Sequence, residues 1–130
     1  MPAITPSLWF NHNAREAAEF YARIFPNSTV AGGLVAAADT PSGERGYEIV
    51  VPFTLDGQAF QGINGGPQFK FTEAVSFMID CDGQDEVDYY WDALTADGGE
   101  PGQCGWLKDK FGVSWQVVPR QLGKIGRAHV

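Results

Sequence analysis

Histidine, cysteine and basic side chains are scarce in this chain: two His, two Cys, and nine Lys and Arg among 130 residues. Against sixteen Asp and Glu, the few basic groups leave a formal charge of -7, and they are scattered rather than clustered. A polyanionic partner would be repelled, so neither nucleic acid nor an anionic membrane surface is expected to bind. No apolar run is long enough to cross a bilayer, and residues 1–10 lack the basic start and apolar middle of an export signal. These features point to a cytoplasmic protein. Without export, Cys81 and Cys104 are expected to stay reduced rather than pair.

What the chain does hold is apolar material for one core. Hydrophobic residues make up 44% and charged residues 19%, the composition of a folded domain. The length is too small for two ordinary domains, so one is expected, over residues 1–124.

Periodicity supplies the elements. Residues 4–10 read as a strand. Asn13 with Glu16 three residues on gives a capping box that opens a helix. Ala14, Ala17, Ala18, Tyr21, Ile24 and Phe25 form its apolar stripe, and Pro26 ends it. Residues 29–38 are β-capable but weakened by glycine, and residues 40–44 form a polar turn. In residues 47–55 Tyr47, Ile49, Val51, Phe53 and Leu55 share one apolar face. Pro52 cannot donate a ladder hydrogen bond, so that strand is expected at an edge or at a bulge. Asp56-Gly57 reads as a two-residue hairpin turn into residues 58–64, which would set Phe53 opposite Phe60.

After Asn64-Gly65-Gly66-Pro67 the pattern starts again. Residues 74–81 read as a strand. Residues 84–96 read as a helix with Val87, Tyr90, Trp91 and Leu94 on one stripe, stopped by Asp97-Gly98-Gly99. Residues 106–108 and 113–119 read as a hairpin. The order strand, helix, strands occurs twice, and Glu19-Phe20-Tyr21 is echoed by Asp88-Tyr89-Tyr90, which together indicate a repeat. One helix covers one face of each set of strands, so the two remaining faces are expected to enclose a cleft.

Several segments carry a resemblance: Leu8-Trp9-Phe10, Ala18-Glu19-Phe20-Tyr21, Phe25-Pro26-Asn27-Ser28, Leu55-Asp56-Gly57-Gln58, Asn64-Gly65-Gly66-Pro67 and the long run from Gln103 to Gln116. Taken in order over residues 4–122, the chain closely resembles the PhnB-like proteins, also called 3-demethylubiquinone-9 3-methyltransferase-like. These lie in the vicinal oxygen chelate (glyoxalase/bleomycin resistance) superfamily. The resemblance implies an α+β fold of two βαβββ modules, about 4–66 and 73–119, with curved mixed sheets around a cleft, and a homodimer. Relatives continue into a helical tail. Here residues 125–130, Ile-Gly-Arg-Ala-His-Val, look like the read-through of a cloning or sequencing adapter and are set aside.

The superfamily's enzymes hold a divalent ion with His or Glu from four strands, because such cations need several converging N and O ligands. Laid on that pattern, this chain offers Pro6, Gln61, Glu73 or Ala74, and Gln116. One carboxylate at most does not make a site, so no metal is expected. No cofactor is expected either. A methyltransferase of the common type needs a glycine-rich turn that opens a helix, whereas Gly62-Ile63-Asn64-Gly65-Gly66 runs into Pro67. His12 could serve Cys104 as a base, but nothing in the spacing joins them, and Cys104 reads more plainly as a small buried thiol.

Aromatic residues are the richer supply. Trp9, Phe60, Phe69, Phe71, Trp106 and Trp115 could line an apolar cleft. We expect Gln61, Asn64, Phe69, Cys104, Trp106 and Gln116 to contact a small apolar or aromatic ligand, with Trp115 packed beneath a helix. The rival classes are a metal-dependent lyase, isomerase, dioxygenase or thiol transferase in the same cavity, and a protein that sequesters antibiotics.

Overall fold

A computed structural model describes residues 3–120, which fall into two compact units divided between Lys70 and Phe71. The adapter-like segment 125–130 lies outside the described residues.

The first unit runs β1 (Ser7–Phe10), α1 (Ala14–Ile24), β2 (Thr29–Val30), β3 (Leu34–Val35), β4 (Glu48–Leu55) and β5 (Gln58–Asn64). Its sheet has the order β1-β5-β4-β2, with β3 also on β4. β1 is parallel to β5 and the other pairs are antiparallel. The second unit runs β6 (Ser76–Cys81), α2 (Gln84–Thr95), a 3-10 turn (Ala96–Gly98), β7 (Glu100–Pro101), β8 (Trp106–Lys108) and β9 (Ser114–Pro119). Its order is β6-β9-β8-β7, with β6 parallel to β9. Both units therefore follow one plan, in which the strand before the helix lies parallel to the last strand. They are two βαβββ-like modules with mixed sheets, as the repeat in the sequence implies.

The first core forms where the apolar stripe of α1 meets one sheet face. Ala14, Ala17, Ala18, Phe20, Tyr21 and Ile24 are buried with Leu8, Phe10, Val51, Phe53, Leu55 and Phe60. Tyr21 stacks on Phe53 at 6.2 Å between ring centroids, and Phe53 on Phe60 at 5.4 Å. Such pairs add about 0.5–1.5 kcal/mol each beyond the area they bury. The Phe53–Phe60 register follows from the tight turn at Asp56 (φ 47°) and Gly57 (φ 80°), the positive pair that a two-residue hairpin needs. The helix stops before Pro26, with Phe25 already extended.

Three local expectations need correction, and one element had none. β4 is an inner strand, so of the two places expected for Pro52 the edge is wrong and an irregularity in pairing is what is seen; its missing N–H falls where the neighbour breaks between β2 and β3, and its carbonyl accepts from the Ala31 N–H at 2.9 Å. Asn13 occupies the cap position of α1 but makes no side-chain cap. β7 was not legible, because its two residues include a proline, which an edge strand tolerates. The strand expected from residue 4 begins at Ser7.

Candidate functional site

In the second unit β9 alternates between two environments. Trp115 and Val117 are buried, together with Leu107, Cys81, and Tyr90 and Leu94 of α2. The register places Ser76, Met78, Trp106, Lys108, Ser114 and Gln116 on the opposite face, with Gln116 flanked by Met78 and Trp106, and Ser114 by Ser76 and Lys108. That face is the less enclosed one: Met78 is exposed, and Trp106, Lys108 and Gln116 are half-buried.

Asp109 fixes this alternation. It is buried in the β8–β9 turn, where one carboxylate oxygen accepts from the N–H groups of Phe111 (2.9 Å) and Val113 (3.1 Å). The other accepts from the Trp115 indole at 2.9 Å. With Trp115 held on the helix side, Ser114 and Gln116 must point the other way. The sequence reading passed over Asp109; its signal is an aspartate ahead of Lys-Phe-Gly, the type of residue that bonds backbone amides two residues on.

An open hollow of about 370 Å³ lies in this unit, with Glu73, Glu100, Pro101, Trp106, Lys108 and Ser114 among its lining. The Lys108 ammonium meets the Glu73 carboxylate at 2.9 Å. That hydrogen bond lowers the Glu73 pKa and raises the Lys108 pKa, so both stay charged near neutral pH. Ser114 Oγ is buried and has no hydrogen-bond partner among the described residues.

The expected ligand contacts separate accordingly. Trp106 and Gln116 face each other across β8 and β9, and the Gln116 amide donates to Ser76 Oγ at 2.9 Å. Cys104 sits two residues ahead of Trp106 in a left-handed turn (φ 56°) and is exposed, which corrects the expectation of a small buried thiol. The turn is held by Gly102 N–H to the Trp106 carbonyl (2.8 Å) and by Trp106 N–H to the Gln103 carbonyl (3.0 Å).

In the first unit the candidates do not converge. Gln61 lies on the sheet face away from α1 and donates to Ser7 Oγ at 2.8 Å. Asn64 lies on the helix side, buried, with both polar ends bonded to backbone: Oδ1 accepts from the Ala14 N–H, and Nδ2 donates to the Glu48 carbonyl, each at 2.9 Å. Phe69 is exposed and meets the Trp9 ring edge-on at 4.9 Å. A second hollow of about 310 Å³ is lined by His12, Arg15, Glu16, Tyr47, Glu48 and Asn64, among others. Within it the Arg15 guanidinium binds Glu48 through two hydrogen bonds, of 2.7 and 2.6 Å. Those bonds lower the Glu48 pKa and raise that of Arg15.

The residues do not suit a metal. Gln61 and Gln116 offer neutral amides in place of imidazole or carboxylate, Glu73 is paired with Lys108, and Pro6 has no ligating side chain. Among the described residues no three His, Cys, Asp or Glu side chains gather into a metal-binding group. Nor do the glycines form a cofactor cradle. Gly62 lets α1 pack against β5, because a Cβ there would lie 2.9 Å from that of Ala14, and Gly65 makes room for the Trp9 indole, which donates to the Gly66 carbonyl at 2.9 Å.

The family described as 3-demethylubiquinone-9 3-methyltransferase matches residues 2–118. Among solved structures, the chain is 31% identical to a PhnB protein from Bacillus cereus that carries the same description. The match covers 91% of this chain and 99% of that one, with a TM-score of 0.74. A Pseudomonas aeruginosa protein shares the fold at 21% identity, with 92% and 98% coverage and a TM-score of 0.71. A glyoxalase/bleomycin resistance protein from Albidiferax ferrireducens shares it at 13% identity, with 91% and 98% coverage and a TM-score of 0.57. Comparison with curated proteins gives no match.

Proposed function

This chain belongs to the 3-demethylubiquinone-9 3-methyltransferase family, as a PhnB-like member of the glyoxalase/bleomycin resistance superfamily, and we propose that it binds a small apolar or aromatic molecule without a metal. The observation that carries this proposal is the hollow of the second unit. There a half-buried indole, Trp106, and a buried hydroxyl, Ser114, without a partner among the described residues, line the same wall. A mostly apolar wall with a few polar groups is what small-molecule sites share. Gln116, across from Trp106, and Cys104, two residues ahead of it, lie outside the lining of the hollow and are assigned to the ligand as flanking contacts. Asn64 serves as scaffold in this proposal, and Gln61 and Phe69 belong to the first unit's own surface.

Methyl transfer, the chemistry in the family's name, forms no part of the proposal, because the glycines that might cradle a methyl donor are taken up by packing. A metal-dependent lyase or dioxygenase is opposed by the supply of ligands, since among the described residues no three His, Cys, Asp or Glu side chains gather. Homodimerisation belongs to the same proposal, and the edge position of β6, with exposed Val75 and Met78 close by, supports it.

The test is a thermal-shift screen of aromatic metabolites and antibiotics, followed by alkylation of the thiols. A hit should shield Cys104 and alter Trp106 fluorescence, with buried Cys81 as internal control, and Trp106→Ala should weaken it. A hit that affects neither Cys104 nor Trp106 would end the proposal.

A further inference from the structure

The hollow beside Trp106 is net negative and holds a buried hydroxyl without a partner among the described residues, and together these features select an occupant. Resting on the proposal that this hollow binds a ligand, we propose that the ligand is a primary ammonium carried on an apolar or aromatic body.

The polar inventory of the lining comes first. Ser114 Oγ is buried, its residue only 2% exposed, and has no partner among the described residues. Glu100, an exposed residue across the β7–β8 pair from Lys108, also lines the hollow, and no hydrogen bond holds its side chain among the described residues. A carboxylate only accepts, and a serine hydroxyl can accept as well as donate. Lys108, the cation in the lining, is held by Glu73 at 2.9 Å, which leaves Glu100 outside that ion pair. An ammonium can donate to Ser114 Oγ and to Glu100 at once and offsets their charge; a neutral hydroxyl can bond either, and a carboxylate can only accept from the Ser114 hydroxyl while adding charge beside Glu73 and Glu100.

Charge points the same way. Glu73 and Glu100 outweigh Lys108, so the lining is net negative on a chain whose formal charge is -7. Such a field attracts cations and repels anions on approach. An anion would first have to displace Glu73 from Lys108 and then remain beside two carboxylates.

Apolar shape completes the selection. The Trp106 indole stands in the lining with Pro101 and Leu107. An indole face draws a cation within about 6 Å of its centre and offers a flat surface to an aromatic body. The cationic head and the apolar body of one molecule can thus use different parts of the same wall.

The experiment titrates the full chain with 2-phenylethylamine, 2-phenylethanol and phenylacetate. It follows the fluorescence that Trp106→Phe removes and the alkylation of Cys104. The amine should bind about tenfold or more tightly than the alcohol or the acid, the size expected for a hydrogen bond to a charged group. Glu100→Gln should erase that preference while leaving the alcohol unchanged, Ser114→Ala should weaken the amine a few-fold, and the advantage should vanish above the amine's own pKa. If the alcohol or phenylacetate matches the amine at Trp106, the ammonium assignment falls and the binding hollow stands. If no probe at millimolar concentration changes Trp106 or Cys104, the hollow itself fails as a site. If the amine binds equally well to Glu100→Gln, its charge is read elsewhere and the assignment is wrong.

Discussion

Asn64, the last residue of β5, caps a helix that begins fifty positions earlier in the chain: its Oδ1 accepts from the Ala14 N–H at 2.9 Å, where Asn13 supplies no side-chain cap. Its Nδ2 donates to the Glu48 carbonyl at the start of β4, so one buried amide ties three elements together. The first orphan amide of α1 is thereby satisfied through tertiary structure.

Replacing this side chain should cost stability before it affects binding. Asn64→Ala leaves a buried N–H and a carbonyl without partners and should lose about 2–4 kcal/mol in urea unfolding. Asn64→Asp keeps the acceptor beside a helix N-terminus, where negative charge is favoured, and should lose less. Equal losses in the two variants would mean that the bond to Glu48, not the cap, matters.

Asp109 and Trp115 should behave as a coupled pair. Trp115→Ala should cost about 3–5 kcal/mol as a large buried aromatic. Asp109→Asn turns an acceptor of the indole N–H into a donor facing a donor. It should be markedly less harmful when Trp115→Phe has already removed that N–H, by about 1–2 kcal/mol in a double-mutant cycle. Strict additivity would show that the bond contributes nothing.

Much of the architecture was legible because period and turn chemistry act locally. The α1 stripe, the Asp56-Gly57 hairpin and the alternation along β9 all follow from spacing alone, and each lies where expected. Long-range partners were not legible. Asn64 reads as a polar handle until β5 is laid beside α1, and Pro52 reads as an edge marker until β2 and β3 are seen to part opposite it. Cys104 reads as a small thiol fit for a core, yet its left-handed turn holds it in the open. The candidate site was only partly readable for the same reason. Trp106 was expected from the aromatic supply and Gln116 from the family pattern, whereas Ser114, without a partner among the described residues, and the Glu73–Lys108 pair depend on which strands become neighbours.

Chelation should leave the protein unchanged. Thermal melts with and without EDTA should give the same Tm, and Gln116→Glu alone should create no site, because a single carboxylate cannot replace several converging ligands. Stoichiometric zinc, nickel, manganese or iron surviving gel filtration would contradict this.

The Arg15–Glu48 pair should appear in the acid limb of stability. Glu48 has its pKa lowered by the hydrogen bonds from Arg15, from an ordinary 4.5, so its contribution is present above that value and disappears as pH falls through the folded-state pKa. Both side chains are partly exposed, at 37% and 29%, which limits the contribution to about 0.5–1 kcal/mol. Glu48→Gln should flatten the acid limb by that amount, and high salt should do part of the same; parallel limbs in variant and parent would remove the pair from the account.

The two thiols should differ in both reactivity and linkage. Cys104 is exposed, so iodoacetamide should modify it in the native protein at neutral pH. Cys81 has no exposed surface, and burial pushes its thiol from 9.0 up to about 11, with Glu86 and Asp80 adding to the rise. Its native-state labelling should therefore be slow and should track global unfolding. The sign of the linkage follows from the raised value. Below pH 9 the thiol is neutral in both states and its contribution is intact; between 9 and 11 the unfolded chain ionises first and stability drains away. At about 1.4 kcal/mol per pH unit, up to about 3 kcal/mol would be lost across that window. Cys81→Ala should give up packing at neutral pH yet show a shallower decline at high pH than the parent. A variant whose alkaline decline matches the parent, or Cys81 labelled as fast as Cys104 under native conditions, would place that thiol in contact with water and overturn the assignment.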